Sequence, residues 1–202
     1  MASTNSYGDF ELTDPKAMRA LAHPVRLALL ERLQRHGPAT ASQLSPHVGA
    51  TPSVTSWHLR HLAGFGLVRD AEPGPDRRER RWEATARGFR YGNTDGGEEQ
   101  RAAARLLSDQ LFLQASDLPL RWAAETAPGL EPAWRDRSGL DNTRVVVTPE
   151  ELEHIIEAMR EVLAPYVVRE PSDRPDGARG VQLLRYLLPE LPELPEADDG
   201  DE

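Results

Sequence analysis

The stretch TPSVTSWHLRHLAGFGLV, residues 51–68, decides the fold. Thr51 followed by Pro52 is typical of a helix start, because threonine caps the first amides and proline suits the first helical position. Glycine favours the end of a helix, so Gly64 or Gly66 is expected to stop this one. Three apolar residues are expected to face a core: Val54, Leu59 and Leu62.

Three further helices are predicted upstream of this stretch. Asp14 is placed to cap the first of them. His23 interrupts it, because a residue that precedes proline is pushed out of the helical region, and a second helix follows from Pro24. A third helix is expected over residues 40–47, followed by a turn at Gly49, since glycine adopts a positive φ most easily.

Two extended runs follow the stretch and predict a β-hairpin. They cover residues 67–71 and 77–84 and flank EPGPD, which is rich in turn-forming residues. Trp82 in the second run is expected to pack the hairpin onto the helices. Helix, turn, helix and hairpin follow one another in the order of a winged helix-turn-helix, with a wing over residues 68–84.

The net charge of −9 hides an asymmetry between the two halves of the chain. Residues 14–91 contain 13 basic and 7 acidic side chains, whereas residues 96–202 contain 11 basic and 23 acidic ones. Binding to the phosphate backbone of DNA requires basic surface. The N-terminal half is therefore the candidate for contact with double-stranded DNA, and the acidic half is expected to face away from it.

The predicted helix at residues 51–64 has the side chains that a helix in the major groove requires. Small polar residues lie at its N-terminal end and a basic residue follows, while apolar members are candidates for contact with a thymine methyl. His58 is interpreted as a packed, hydrogen-bonded residue rather than a base contact. Arginines after the hairpin turn are expected on the backbone or the adjacent minor groove. The predicted DNA contacts are Thr51, Pro52, Ser53, Ser56, Trp57 and Arg60 from the helix, and Arg77, Arg78, Arg80 and Arg81 from the wing.

The fold class expected for the whole chain is mainly α with a small amount of β. Four parts are predicted: a flexible arm over residues 1–12, a winged helix-turn-helix domain over 13–92, a C-terminal α/β dimerisation domain over 93–188, and an acidic disordered tail over 189–202. In the third part we expect helices at 98–115 and after a capping box at 148–151, and strands at 144–147 and 181–188.

The helix at residues 98–115 has an apolar face too wide for a lone surface helix and is expected to form a homodimer interface. Its predicted contact residues are Ala103, Leu106, Leu107, Leu111 and Phe112. Residues 112–170, which contain Trp122 and Trp134, are the part predicted to bind a small-molecule effector, if the chain has one.

Three runs together resemble the ArsR-type winged-helix family of bacterial regulators. They are LAHPVRLALLERL from residue 21, ATASQLSPHVGATPSVTSWHLRHLAGFGLV from residue 39, and RRERRWEAT from residue 77. The resemblance covers about residues 14–91, and more weakly residues 98–188 in a larger-bodied subgroup. It implies a homodimeric repressor or activator on a pseudo-palindromic operator, with residues 51–60 in the recognition helix.

Several function classes are set aside by the sequence. There is no cysteine and no convincing Asp/His cluster, so the metal site of metal-sensing members does not carry over, and no metal or cofactor is expected. No catalytic motif is found, and no apolar run is long enough to cross a membrane, which favours a cytoplasmic non-enzyme. The alternative left open is a protein-interaction module that docks on the transcription machinery.

Overall fold

The computed structural model describes residues 7–74, 79–91, 97–167 and 173–191. The chain divides into two compact units, residues 1–168 and residues 169–202. The first unit contains the helices and strands described below.

The first two helices begin where side chains cap them. Helix α1 is Pro15–Leu21, and the amide of Lys16 donates to Oδ1 of Asp14 at 2.8 Å. Helix α2 is Pro24–His36, and the amide of Val25 donates to Nδ1 of His23 at 3.2 Å. The predicted break between the two helices at His23 is confirmed, because this residue is extended and so ends one helix while it caps the next.

The next two helices form the helix-turn-helix. Helix α3 is Ala41–Leu44, capped reciprocally by Thr40 and Gln43, and a 3₁₀ turn over Ser45–His47 continues it. Gly49 then turns the chain with a φ of +63°. Helix α4 is Pro52–Gly64, and it begins where the hydroxyl of Thr51 accepts from the amide of Val54. These starts and stops agree with the predicted ones.

A three-stranded antiparallel sheet forms the wing and joins it to the helices. Strands β2 (Ala39–Thr40), β3 (Val68–Asp70) and β4 (Arg81–Ala84) lie in the order β2-β4-β3. The side chain of Trp82 in β4 is 1% exposed and belongs to the core that the helices share. The predicted hairpin and the predicted packing of Trp82 are both confirmed.

The start of the chain differs from the predicted flexible arm of residues 1–12. Phe10–Glu11 form strand β1, which pairs in parallel with strand β5, Phe89–Arg90. The amides of Phe10 and Leu12 donate to the carbonyls of Gly88 and Arg90, and the side chain of Leu12 is buried. The arm prediction is therefore wrong for residues 10–12, because the backbone there has hydrogen-bond partners that lie far along the sequence. Residues 1–6 lie outside the described residues.

Helix α5, Glu98–Ser116, confirms the helix predicted at 98–115 but packs into the same core as the helix-turn-helix. Its buried residues are Ala103, Ala104 and Leu107, and it lies against α1. An ion pair between Arg19 and Glu99 at 2.8 Å joins the two helices at the surface. The predicted domain boundary at residue 93 thus does not separate two cores, because α5 contributes buried residues to the core that the helix-turn-helix shares.

The rest of the first unit is helical. It contains α6 (Leu118–Glu125), a 3₁₀ turn (Ala127–Gly129), α7 (Pro132–Arg135) and α8 (Pro149–Val167). The predicted capping box at the start of α8 is confirmed, since the amides of Thr148 and Glu151 each donate to the other's side chain. None of the three helices α6, α7 and α8 contains a buried residue.

The two strands predicted in the C-terminal part are not formed. Residues 144–147 and 181–188 are irregular, and Val146 is 86% exposed. A strand requires a neighbouring strand for its hydrogen bonds, and β-forming composition alone does not supply one. The prediction of a mainly α fold with a winged helix-turn-helix is confirmed, whereas the expected α/β character of residues 93–188 is wrong for the described residues.

Candidate nucleic-acid interface

One side of α4 forms the core contact and the other is exposed. Thr55, His58, Leu59 and Leu62 are buried and recur at helical spacing. The six residues predicted to contact DNA from this helix lie away from that buried side. Thr51, Pro52, Ser53, Trp57 and Arg60 are exposed, and Ser56 is partly exposed.

The exposed side also contains Val54, which was expected in the core. Its side chain is 46% exposed. The buried set begins at Thr55, so the core-facing stripe is rotated by one position and Val54 falls beyond its edge. The spacing in the sequence could have indicated this. Residues 55, 58, 59 and 62 form a more regular helical stripe than residues 54, 59 and 62 do.

Arg80 in the wing is fixed by two neighbours. Its Nε and Nη2 donate to the two carboxylate oxygens of Asp70 at 2.5 and 3.1 Å, across the hairpin. Its guanidinium carbon lies 4.0 Å from the centre of the Trp82 ring. The hydrogen bond from Arg80 lowers the pKa of Asp70. Asp70 was not predicted as the partner of Arg80, because opposite charges on the two arms of a hairpin are compatible with a cross-strand pair but do not fix which residues meet.

The other predicted wing arginines have different surroundings. Arg81 is half-buried, and its Nη2 donates to the carbonyl of Pro38 at 2.7 Å, so this side chain ties the hairpin to the chain that enters β2. Arg77 and Arg78 lie outside the described residues. Arg69, which was not predicted, forms an ion pair with Glu83 at 2.6 Å on the opposing strand.

A group of imidazoles joins α4 to the start of α2. The rings of His23 and His58 lie 4.9 Å apart, and His61 follows one turn along α4. Burial lowers the pKa of all three imidazoles, and the charge of Arg26 lowers it further. Nδ1 of His58 and Nε of Arg26 are buried without a hydrogen-bond partner among the described residues. His58 is thus packed, as predicted, whereas the hydrogen bond predicted with it is not formed by Nδ1 among the described residues.

The residues predicted for the dimer interface fall into two sets. Ala103 and Leu107 are completely buried in the chain's own core, so they are not available to a second subunit. Leu106 and Phe112 are 53% and 51% exposed, and Leu111 packs partly against the core. The predicted apolar face was too wide because it merged an internal contact with α1 and an exposed strip on the other side.

The region predicted for an effector is largely exposed. Trp122 in α6 and Trp134 in α7 are each partly covered.

Within the described ranges, no three His, Asp or Glu side chains are grouped so as to hold a metal ion. Nor does any helix in that part of the chain have the length and apolar character that a membrane crossing requires.

Residues 21–71 match the family model of a helix-turn-helix domain. That range runs from the end of α1 through α4 and β3. No curated protein matches the chain.

Three solved structures are similar at low TM-scores. A MarR family transcriptional regulator from Silicibacter pomeroyi is 20% identical, with 72% of each chain covered and a TM-score of 0.30. A MarR family regulator from Neisseria meningitidis is 19% identical, with 70% of this chain and 79% of that one covered and a TM-score of 0.31. RV1404 from Mycobacterium tuberculosis is 17% identical, with 73% of this chain and 83% of that one covered and a TM-score of 0.30.

At these scores the structures assign no family to the chain, and the ArsR resemblance stays a prediction. The match over residues 21–71 and the observed order of helices and hairpin support a narrower statement. The chain contains a winged helix-turn-helix domain of the DNA-binding type.

Proposed function

We propose that the chain is a sequence-specific transcriptional repressor that binds double-stranded DNA as a homodimer. The observation that carries the proposal is the exposed side of α4, which places small polar residues, Trp57 and Arg60 on one surface of a capped helix. In the proposed complex α4 lies in the major groove, and the wing contacts the backbone or the minor groove.

The distribution of charge along the chain supports DNA contact by the same surface. The segment that contains the helix-turn-helix and the wing has an excess of six basic residues, whereas residues 96–202 have an excess of twelve acidic ones. Phosphate would compete with Asp70 for Arg80, whose guanidinium is already ordered on Trp82. An ordered arginine loses less conformational entropy when it binds than a mobile one.

The homodimer is supported by the exposed apolar strip on α5. Leu106 and Leu113 are seven residues, about two turns, apart on this helix and are 53% and 68% exposed, and Phe112 beside Leu113 is 51% exposed. In a symmetric dimer, two copies of α4 are required about 34 Å apart to contact successive major grooves. An effector, if the chain has one, would act by changing this separation.

Fluorescence anisotropy with the full chain and the duplex upstream of its own gene tests the proposal. We expect Arg60→Ala to weaken binding roughly 5- to 150-fold if it contacts a base edge. Arg80→Ala should weaken binding to all duplexes and reduce the salt slope by about 0.9 for each lost phosphate contact. Arg121→Ala is the matched control, because this exposed arginine lies on α6, and it should bind as the wild type does.

Two results would contradict the proposal. Equal binding to the upstream duplex and a scrambled one would remove sequence specificity. If neither the wild type nor the two variants bind any duplex, the protein-interaction module is favoured instead. A promoter reporter then separates repression, in which expression falls with the wild type but not with Arg60→Ala, from activation.

A further inference from the structure

Two large apolar side chains lie exposed on the side of α4 that is otherwise polar. Val54 and Trp57 are 46% and 54% exposed and are three residues apart, so they are neighbours on the helix surface. Ser53 and Arg60 are exposed on the same helix, and Ser56 is partly exposed. An apolar pair on this surface gains nothing from the chain's own core, and its burial against an apolar group of a ligand would be favourable.

The indole of Trp57 has a fixed position. The ring of His61 stacks on it at 5.6 Å with an angle of 20° between the planes, and His58 meets it edge-on at 4.9 Å. These two rings are themselves held, since His61 contacts Phe65 at 5.4 Å and His58 packs on His23. A half-exposed tryptophan that contacts one stacked ring and one edge-on ring is a preformed apolar surface, so little entropy is lost when it binds.

The major groove of DNA offers one apolar group, the C5-methyl of a pyrimidine. Thymine has this group, and so does 5-methylcytosine, whereas uracil and cytosine lack it. Side chains that recognise purines there are hydrogen-bonding ones, typically Arg, Asn or Gln. At positions 54 and 57 the chain has none of these three residue types.

We propose that Val54 and Trp57 form a contact surface for pyrimidine C5-methyl groups, with His58 and His61 as the positioning residues of the indole. The inference rests on the proposed function, since it requires α4 to lie in the major groove. It adds the class of base that this surface selects. It also gives Val54 a role that burial in the core would have excluded.

The probe is a set of duplexes that the full chain itself selects from a random pool. Each thymine of the best duplex is then replaced singly by uracil, which removes only the methyl group, and each cytosine by 5-methylcytosine. Burial of one methyl predicts an effect of about fourfold in affinity at a contacted position. Symmetric replacement in both halves of a palindromic duplex predicts about sixteenfold.

Variants connect the methyl effect to the two side chains. Trp57→Ala and Val54→Ala should bind the thymine and uracil duplexes with nearly equal affinity, whereas Trp57→Phe should keep part of the difference. Arg60→Ala is the matched control on the same helix. It should lose affinity for both duplexes while their ratio stays that of the wild type. Urea unfolding of every variant checks that α4 remains folded, which is expected because both substituted side chains are exposed.

The outcomes are distinct. A loss confined to the uracil duplexes assigns thymine, and a gain with 5-methylcytosine assigns a methylated site. If the wild type ignores both replacements at every position, or if Trp57→Ala keeps the full ratio, the methyl-contact proposal is wrong while the DNA-binding proposal stands. If no duplex is enriched from the pool, the proposed function fails and this inference fails with it.

Discussion

Gly49 forms the turn of the helix-turn-helix with a φ of +63°, a conformation in which a Cβ atom is strained. No atom lies within 4 Å of the position a Cβ would occupy, so the strain is purely one of backbone conformation. We expect Gly49→Ala to lower the free energy of unfolding by about 1–2 kcal/mol, measured by urea denaturation.

Gly64→Ala is the matched control for this substitution. Gly64 is the last residue of α4, has equally open space around its Cα, and has no positive φ. Alanine is a better helix former by up to about 1 kcal/mol, so this variant should be as stable as the wild type or more stable. Equal destabilisation by both substitutions would contradict the assignment of the effect at Gly49 to its positive φ.

At the scale of single residues, sequence predicted what depends on near neighbours. The caps at Asp14 and Thr51 follow from interactions within three residues, and both are observed. Val54 was placed wrongly because its burial depends on which neighbours α4 meets. The pairing of Arg80 with Asp70 was missed for the same reason, since it depends on the register of the hairpin.

We expect the contact between α2 and α4 to be sensitive to pH. Burial lowers the pKa of His23, His58 and His61 below the ordinary value of 6.5, so the unfolded chain binds more protons than the folded one beneath that pH. Stability should therefore be full above about pH 6.5 and fall as the pH drops through the lowered pKa values. Urea midpoints measured between pH 7.5 and 5 check this expectation.

A substitution connects the effect to the imidazoles. His58→Gln removes the most buried of them and should flatten the dependence on pH, whatever it does to stability at pH 7.5. His47→Gln is the control, because this residue is exposed in the 3₁₀ turn after α3. In this variant Arg26, His23 and His61 remain around position 58. The dependence of stability on pH should therefore become weaker but not vanish. Identical pH profiles for the wild type and His58→Gln would contradict the expectation.

Helices were easier to predict than strands. α5 and α8 follow from apolar periodicity and, for α8, from the Thr148–Glu151 capping box, and both are local signals. The strands expected at 144–147 and 181–188 are not formed among the described residues, whereas the two residues of β1 pair with a segment that begins at Phe89. Pairing between distant segments is not encoded in the composition of either one.

At the scale of the whole molecule, α5 has one side in the core and another exposed. The neighbouring residues Leu106 and Leu107 lie on different sides, the first exposed and the second buried. We expect Leu106→Glu combined with Phe112→Glu to abolish the homodimer while the free energy of unfolding of the monomer stays near that of the wild type. Charges placed at exposed positions disrupt an apolar interface without entering the core. Sedimentation velocity over a range of concentrations measures the oligomeric state, and urea denaturation measures the stability.

Leu107→Ala is the contrasting variant on the neighbouring residue. Its side chain is completely buried, so truncation should lower stability by about 2–5 kcal/mol without a specific effect on dimerisation. A wild-type chain that sediments as a monomer at all concentrations would contradict the homodimer. A dimer that survives both glutamates would place the interface elsewhere.

The contact between α1 and α5 has a further consequence for how the chain folds. Arg19 and Glu99, which join these helices, are 80 residues apart in sequence. Closing so long a loop loses chain entropy before any contact is gained, whereas α2, α3 and α4 meet across short turns. We therefore expect the helix-turn-helix to assemble first and the two flanking helices to dock late. Substitutions between α1 and α5 would then act mainly on the rate at which the native chain opens.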